Sequence, residues 1–143
     1  MFNDSKMMTT NYLLEQSLNA ESLRRKVISN NIANVDVPHF KRSEVNFESQ
    51  LRRAIKSNEY RERNEFPGIL TDEKHIPFNT YQDVRSVGSR VNLDYSTSTR
   101  NDGNNVDIEK EMVDAAKNLM RYNASITALT QNYKLLKSVM RPS

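Results

Sequence analysis

Ile108, Met112, Ala115, Leu119, Tyr122, Ile126, Leu129, Tyr133, Leu136 and Met140 follow one another at alternating spacings of four and three, and none of them is charged, Gly or Pro. Apolar residues recurring every 3.5 positions keep one stripe of an α-helix turned toward a partner along its whole length, the pattern of a coiled-coil helix. At 1.5 Å per residue such a helix runs for about 50 Å, far longer than an ordinary globular helix. A rod of that length cannot cover its stripe by itself, so a second element must lie alongside it. Asn105 or Asp107 is placed to cap its start and Pro142 to stop it. Tyr122 and Tyr133 are wide for a tight two-stranded coil, and their hydroxyls need partners when buried, which points to packing among several helices.

A second long helix is predicted near the N-terminus, starting at a cap on Thr10 or Asn11 and ending near Val35 or Asp36, because Pro38 disfavours helical geometry at Val37. Its apolar residues, among them Leu14, Leu18, Val27, Ile28 and Ile32, spread over more than half of the helical wheel, so the helix is expected to touch more than one neighbour. Between the two helices the signals are weaker. Residues 47–56 can form a short amphipathic helix on Phe47, Leu51 and Ile55; Pro67-Gly68 marks a turn; residues 90–96 show the partial alternation of a short strand or hairpin; residues 96–105 (STSTRNDGNN) have loop composition.

The resulting fold class is mainly α: two long terminal helices packed as a coiled coil or bundle, with a small irregular or β-containing middle insert. It is one structural domain divided into a disordered segment 1–10, an N-terminal helix and turn 11–46, an insert 47–105 and a C-terminal helix 106–143. With 36% apolar residues, three Gly and no Trp, the chain is poorly supplied for a compact core but adequately for two helices along a seam.

Composition also removes function classes. No cysteine means no disulfide, no thiolate catalysis and no Cys-ligated metal. His39 and His75 stand far apart, the glycines form no phosphate loop and no Ser sits in a nucleophile motif, so no metal, no cofactor and no enzymatic activity are expected. The carboxylates stand mostly beside bases and are expected to be solvated. No apolar run approaches the roughly 20 residues of a membrane span, and residues 1–10 lack the hydrophobic stretch of a cleavable signal peptide. The net charge of +3 comes from Lys117, Arg121, Lys134, Lys137 and Arg141 late in the last helix, whereas Asp107, Glu109, Glu111 and Asp114 open it. Acids early and bases late complement the helix macrodipole, so the charge does not call for a nucleic-acid partner. Of the methionines, Met112 and Met140 lie on the seam and are expected in packing.

Two motifs carry a resemblance. Residues 29–42 read SNNIANVDVPHFKR, in which Asn31, Ile32, Ala33, Asn34, Pro38, Phe40 and Lys41 match an Asn-x-Ala-Asn element followed by a Thr-Pro-Gly-aromatic-Lys-like turn. Val37 stands where Thr is common and His39 where Gly is common. Residues 100–112 read RNDGNNVDIEKEM, and here Asp102, Gly103, Asn104, Val106, Asp107, Glu111 and Met112 match the approach to the final helix. Together, at opposite ends of a short cysteine-free chain, they resemble the FlgB-type proximal rod family of bacterial flagellar axial proteins. The resemblance implies a structural subunit of the basal-body rod, a periplasm-spanning shaft. Such subunits are exported without a cleaved signal peptide and stack helically, terminal helices innermost. It implies as partners further copies, other rod proteins, the basal ring and the rod-base adaptor or export-gate components, with no nucleic acid and no membrane insertion. Within it the ten seam residues become the assembly surface. Asn30, Asn31 and Asn34 are expected either to bond backbones between subunits or to satisfy the open carbonyls of the last helical turn, rather than merely to fray the helix end. The alternative, a cytoplasmic coiled-coil adaptor or chaperone-like module, needs the same seam for a discrete dimer.

Overall fold

A computed structural model describes residues 6–62, 71–72, 74–75, 82–96 and 100–140. The order of elements is α1 (Lys6–Ala33), β1 (Ser43–Asn46), α2 (Glu48–Glu62), a 3₁₀ turn at Val84–Ser86, β2 (Arg90–Leu93) and α3 (Ile108–Met140). The chain divides into two units: a terminal unit made of Met1–Asn46 with Ser89–Ser143, and an inserted unit, Phe47–Gly88. The expected turn at Pro67-Gly68, residues 97–99 of the expected loop and the stop at Pro142 lie outside the described residues.

In the terminal unit α1 and α3 run antiparallel along one another. Asn11 meets Asn132, Glu21 meets Asn118 and Asn31 meets Glu111, so rising numbers on one helix meet falling numbers on the other. Neither helix contains Gly or Pro, the residues that most readily interrupt a helix. Helix α1 already includes Lys6, ahead of the expected start, so part of the segment expected to be disordered is helical. Thr10 is inside the helix, its hydroxyl donating to the Lys6 carbonyl at 2.8 Å. Asn11, the other candidate cap, is buried and accepts from the Asn132 amide at 2.8 Å. A polar side chain of that kind reads as a cap locally, but here its partner is on the other helix. At the far end α1 stops at Ala33, two residues before the expected Val35, and the chain tightens through turns in which Val35 N–H donates to Ile32 O and Val37 N–H to Asn34 O.

Helix α3 starts after Asp107, whose carboxylate accepts from the backbone N–H of Glu109 at 3.0 Å and of Lys110 at 3.3 Å. Glu109 and Glu111 in its first turn and Lys137 in its last complement the macrodipole as expected. Strand β2 falls inside the segment expected to hold a strand. Its partner β1 is not expected from the sequence: Ser43–Asn46 is only four residues long and is ordered by antiparallel pairing with a segment far along the chain, Val45 opposite Val91 and Ser43 opposite Leu93. The inserted unit, Phe47–Gly88, is shorter than the expected insert 47–105.

The inserted unit contains α2, the expected amphipathic helix, extended to Glu62. Its buried apolar side chains are Phe47, Ala54, Val84 and Val87. Ser57 and Gln82 clamp it, the hydroxyl donating to Gln82 O and accepting from Gln82 N–H, each at 3.2 Å. Among the described residues no helix is long and apolar enough to cross a membrane.

Candidate functional site

The two motifs identified in the sequence meet in space. At the end of α1 the Asn31 side chain, fully buried, donates to Ser43 O at 2.9 Å and to Glu111 Oε2 at 3.1 Å, while its own oxygen accepts from Ser43 N–H at 3.0 Å. Asn104, also fully buried, directs its amide nitrogen at three carbonyls of the turn that leaves α1: Asn34 at 3.1 Å, Val35 at 2.9 Å and Val37 at 2.8 Å. Its oxygen accepts from Val106 N–H at 2.8 Å. A tight turn leaves carbonyls that need partners, and here one side chain, 67 or more residues downstream, serves three of them. The neighbouring Asn105 bonds Arg42 N–H at 2.7 Å and Asp94 O at 2.8 Å, which removes it from the cap role. Lys41 Nζ reaches Gly103 O at 2.8 Å and His39 N–H reaches Asp102 O at 3.1 Å.

An ionic cluster lies beside this clasp. Arg42, 7% exposed, engages Glu111, which is 0% exposed, together with Glu44 and Asp114. Glu111 and Glu21 both depart from the expectation of solvated carboxylates; Glu111 is sealed between the two helices with Arg42 and Asn31 as partners. Buried ion pairs of this kind require several hydrogen bonds to offset the cost of leaving water. His39, standing where Gly is common, has a φ of 60°, and Gly103 packs against it with a φ of 77°. The positive φ favours glycine there, and a Cβ on Gly103 would lie 2.9 Å from His39 Nδ1, so any other residue would also displace that ring. Asn34 bonds the Asn30 carbonyl at 2.7 Å, the intrachain half of the expectation for these amides; Asn31 likewise finds its partners within the chain, and Asn30 is exposed. Of the other motif residues, Val106 is buried, Phe40 and Lys41 are half-buried, and Ala33, Pro38 and Asp107 are exposed. Asn104→Ala is expected to leave carbonyls and the Val106 N–H without partners, at a cost of about 2–3 kcal/mol measured as a lower urea midpoint.

Between the helices the packed face differs from the expected seam. Ala115, Tyr122, Leu129 and Leu136 are half-buried toward α1, and on α1 Ile28 is buried while Leu14, Leu18, Val27 and Ile32 are half-buried. The positions that complete the packed face are Glu111, Asn118, Ser125 and Asn132, one residue before the expected row, and none of these is exposed. The expected row itself lies outside: Ile108, Met112 (63% exposed), Leu119 (57%), Ile126 (39%), Tyr133 and Met140 (77%) are exposed. Met112 and Met140 thus do not pack within the chain. The inner row is polar because its partners are polar. Asn118 donates to Glu21 O at 3.1 Å, Asn132 to Asn11, and Glu21, itself buried, pairs with Arg24 at 2.7 Å. Tyr133 is exposed rather than buried, and its hydroxyl donates to Glu15 at 2.9 Å; that hydrogen bond first, then the carboxylate charge, raise its pKa above the ordinary phenol value. Nothing in the local sequence marks Arg42, Asn11 and Glu21 as interface residues. One signal is present: Glu111, Asn118, Ser125 and Asn132 form a polar row of their own at seven-residue spacing.

A long antiparallel helix pair, closed where an N-terminal Asn–Pro turn meets an Asp-Gly-Asn-Asn approach, is an architecture of packing and side-chain clasps, the kind that the resemblance to axial structural proteins implies. In agreement, residues 12–41 match the family described as flagella basal body rod protein. The chain is 38% identical to the flagellar basal body rod protein FlgB of Borrelia hermsii over 90% of this chain and 93% of that one. It is 37% identical to FlgB of Borreliella burgdorferi over 87% and 90%, and 32% identical to FlgB of Bacillus subtilis over 89% of each. The chain belongs to the FlgB family of flagellar basal body rod proteins and is a structural subunit rather than an enzyme. Membership sets aside the adaptor alternative.

Proposed function

We propose that this rod subunit builds the proximal part of the rod by helical, head-to-tail association through α1 and α3, transmitting torque through the packed helices. The observation that carries the reading is the uncovered apolar row of α3. After α1 has packed against it, Met112, Leu119, Ile126, Tyr133 and Met140 still face solvent along the helix. Monomeric proteins rarely leave so long a contiguous apolar stripe exposed, and such a stripe marks an interface. The polar inner row supports the same division of labour. Hydrogen bonds between buried Asn and Glu side chains set the register of the pair within the chain, as buried polar residues do in coiled coils, while the apolar surface stays available to neighbours.

In this reading the neighbours are further copies and other rod proteins, with the basal ring and the rod-base adaptor or export-gate components at the foot of the shaft. The subunit reaches its place without a cleaved signal peptide, and residues 1–10 form part of the export signal. Contacts between unlike patches do not close on themselves, so association of this kind propagates as a helix. Basal bodies purified from cells carrying a tagged copy, and imaged beside those from cells lacking the gene, test it. The tag is expected at the base of the rod, and without the gene the motors are expected to lack the rod beyond that level. A complete rod in the deletion strain would overturn the proposal.

A further inference from the structure

Beside the packed face, α1 and α3 leave a groove of about 330 Å³, walled by Ile28, Ile32, Leu119 and Tyr122, with Asn118 along it and Arg25 at its edge. Ile28 and Asn118 are buried, whereas Leu119 and Arg25 are exposed, so the apolar cleft opens to solvent beside a cation. The first two turns of α3 carry a surface of opposite character. Ile108, Met112 and Val113 are exposed there, and so is Glu109. At 3.6 residues per turn these four positions occupy about 140° of one face, with Glu109 between Met112 and Val113. A carboxylate set within an exposed apolar face is costly to cover unless a cation comes with the covering surface.

We infer that the groove of one copy receives the first two turns of α3 from a second copy, Met112 and Val113 entering the cleft and Glu109 meeting Arg25. Charge selects this occupant over the later turns of the same helix. Asp107 and Glu109 outnumber Lys110 in the first turns, whereas Lys134 and Lys137, both exposed, would bring like charge to Arg25. Glu21 in the groove lining is already paired with Arg24. Groove and inserted turns are different patches of one molecule, so each copy offers a free groove to the next and the contact repeats without closing. The inference rests on the rod-subunit reading and names the surfaces that the association uses.

Arg25→Glu, Glu109→Arg and the double exchange test it, each as the only copy in the cell. Because both positions are exposed, all three variants are expected to fold, with Arg25→Glu melting like the parent and the two carrying Glu109→Arg slightly lower, since that change reverses a charge that complements the α3 macrodipole. Each single reversal is expected to lower the subunit recovered in basal bodies by about tenfold or more, since it sets like charges opposite each other. The double exchange is expected to restore most of that loss. Normal recovery of either single variant, or a double variant no better than the poorer single, would overturn the contact. The rod reading would survive that result, because it is tested separately, by whether the deletion strain lacks the rod and where the tagged chain sits in purified basal bodies.

Discussion

A strain whose only copy of this chain carries Ile126→Asp is expected not to swim, although the purified variant folds. Ile126 is 39% exposed, so it is only partly covered within the chain, and its replacement is expected to lower the melt of the free chain modestly without unfolding it. In the assembled rod the same carboxylate would sit on the apolar row under a neighbouring copy. A charge buried there without a partner costs several kcal/mol at every subunit contact. Leu119→Asp is expected to do the same, but Leu119 also walls the groove that takes the neighbouring helix, so Ile126 is the cleaner test of the row. The measurement pairs motility with the amount of subunit exported and with thermal unfolding of the free chain. Loss of motility with unchanged export and a folded, only modestly less stable chain is the expected combination, and normal swimming would contradict the role of the row.

Glu111→Ala should be the most damaging single change to the fold. It removes the carboxylate that Arg42 engages and that Asn31 donates to at 3.1 Å, leaving a guanidinium 7% exposed with only Glu44 and Asp114. Stranding one member of a buried pair costs about 3–5 kcal/mol, out of a total stability of about 5–15 kcal/mol for a typical domain. Ala is a better helix former than Glu, so the loss cannot be assigned to propensity. Urea unfolding of Glu111→Ala, Arg42→Met and the pair Arg42→Met with Glu111→Leu separates the terms. The pair is expected to recover most of the stability, because replacing both charges by apolar side chains of similar size leaves nothing unpaired. A Glu111→Ala protein within 1 kcal/mol of the parent would show that the cluster does not hold the helices together.

Much of this architecture is legible in residue spacing. The 4–3 pattern marks α3 over its whole length, and the two Asn-rich motifs mark where the chain leaves one helix and enters the other. Spacing does not say which edge of the stripe is inside. Ala115, Tyr122, Leu129 and Leu136 belong equally to a seam completed by Met112, Leu119 and Ile126 and to one completed by Glu111, Asn118 and Ser125. Hydrophobicity favours the first for a helix pair considered alone. The chain adopts the second, since Asn118 and Glu111 find Glu21, Asn31 and Arg42 across the interface. Asn11 and Asn105 resemble caps for a related reason: side chains that bond locally in most settings are used here for contacts between distant segments. Strand β1 leaves no trace in the sequence because four residues carry almost no pattern until β2 pairs with them.

Sequence alone determined that two long helices would flank a short insert, that no catalytic or metal-binding chemistry was to be expected, and that more apolar surface lay along the last helix than one chain could cover. Spacing and composition act over a few turns of one element, and those properties are local. The tertiary structure decided which row turns inward, that Asn104 closes the turn leaving α1, 67 or more residues before it, and that Glu111 is sealed against Arg42. Each of those outcomes depends on pairing buried polar groups that are far apart in the chain, and the cost of leaving such a group unpaired is settled only when the partner arrives in space.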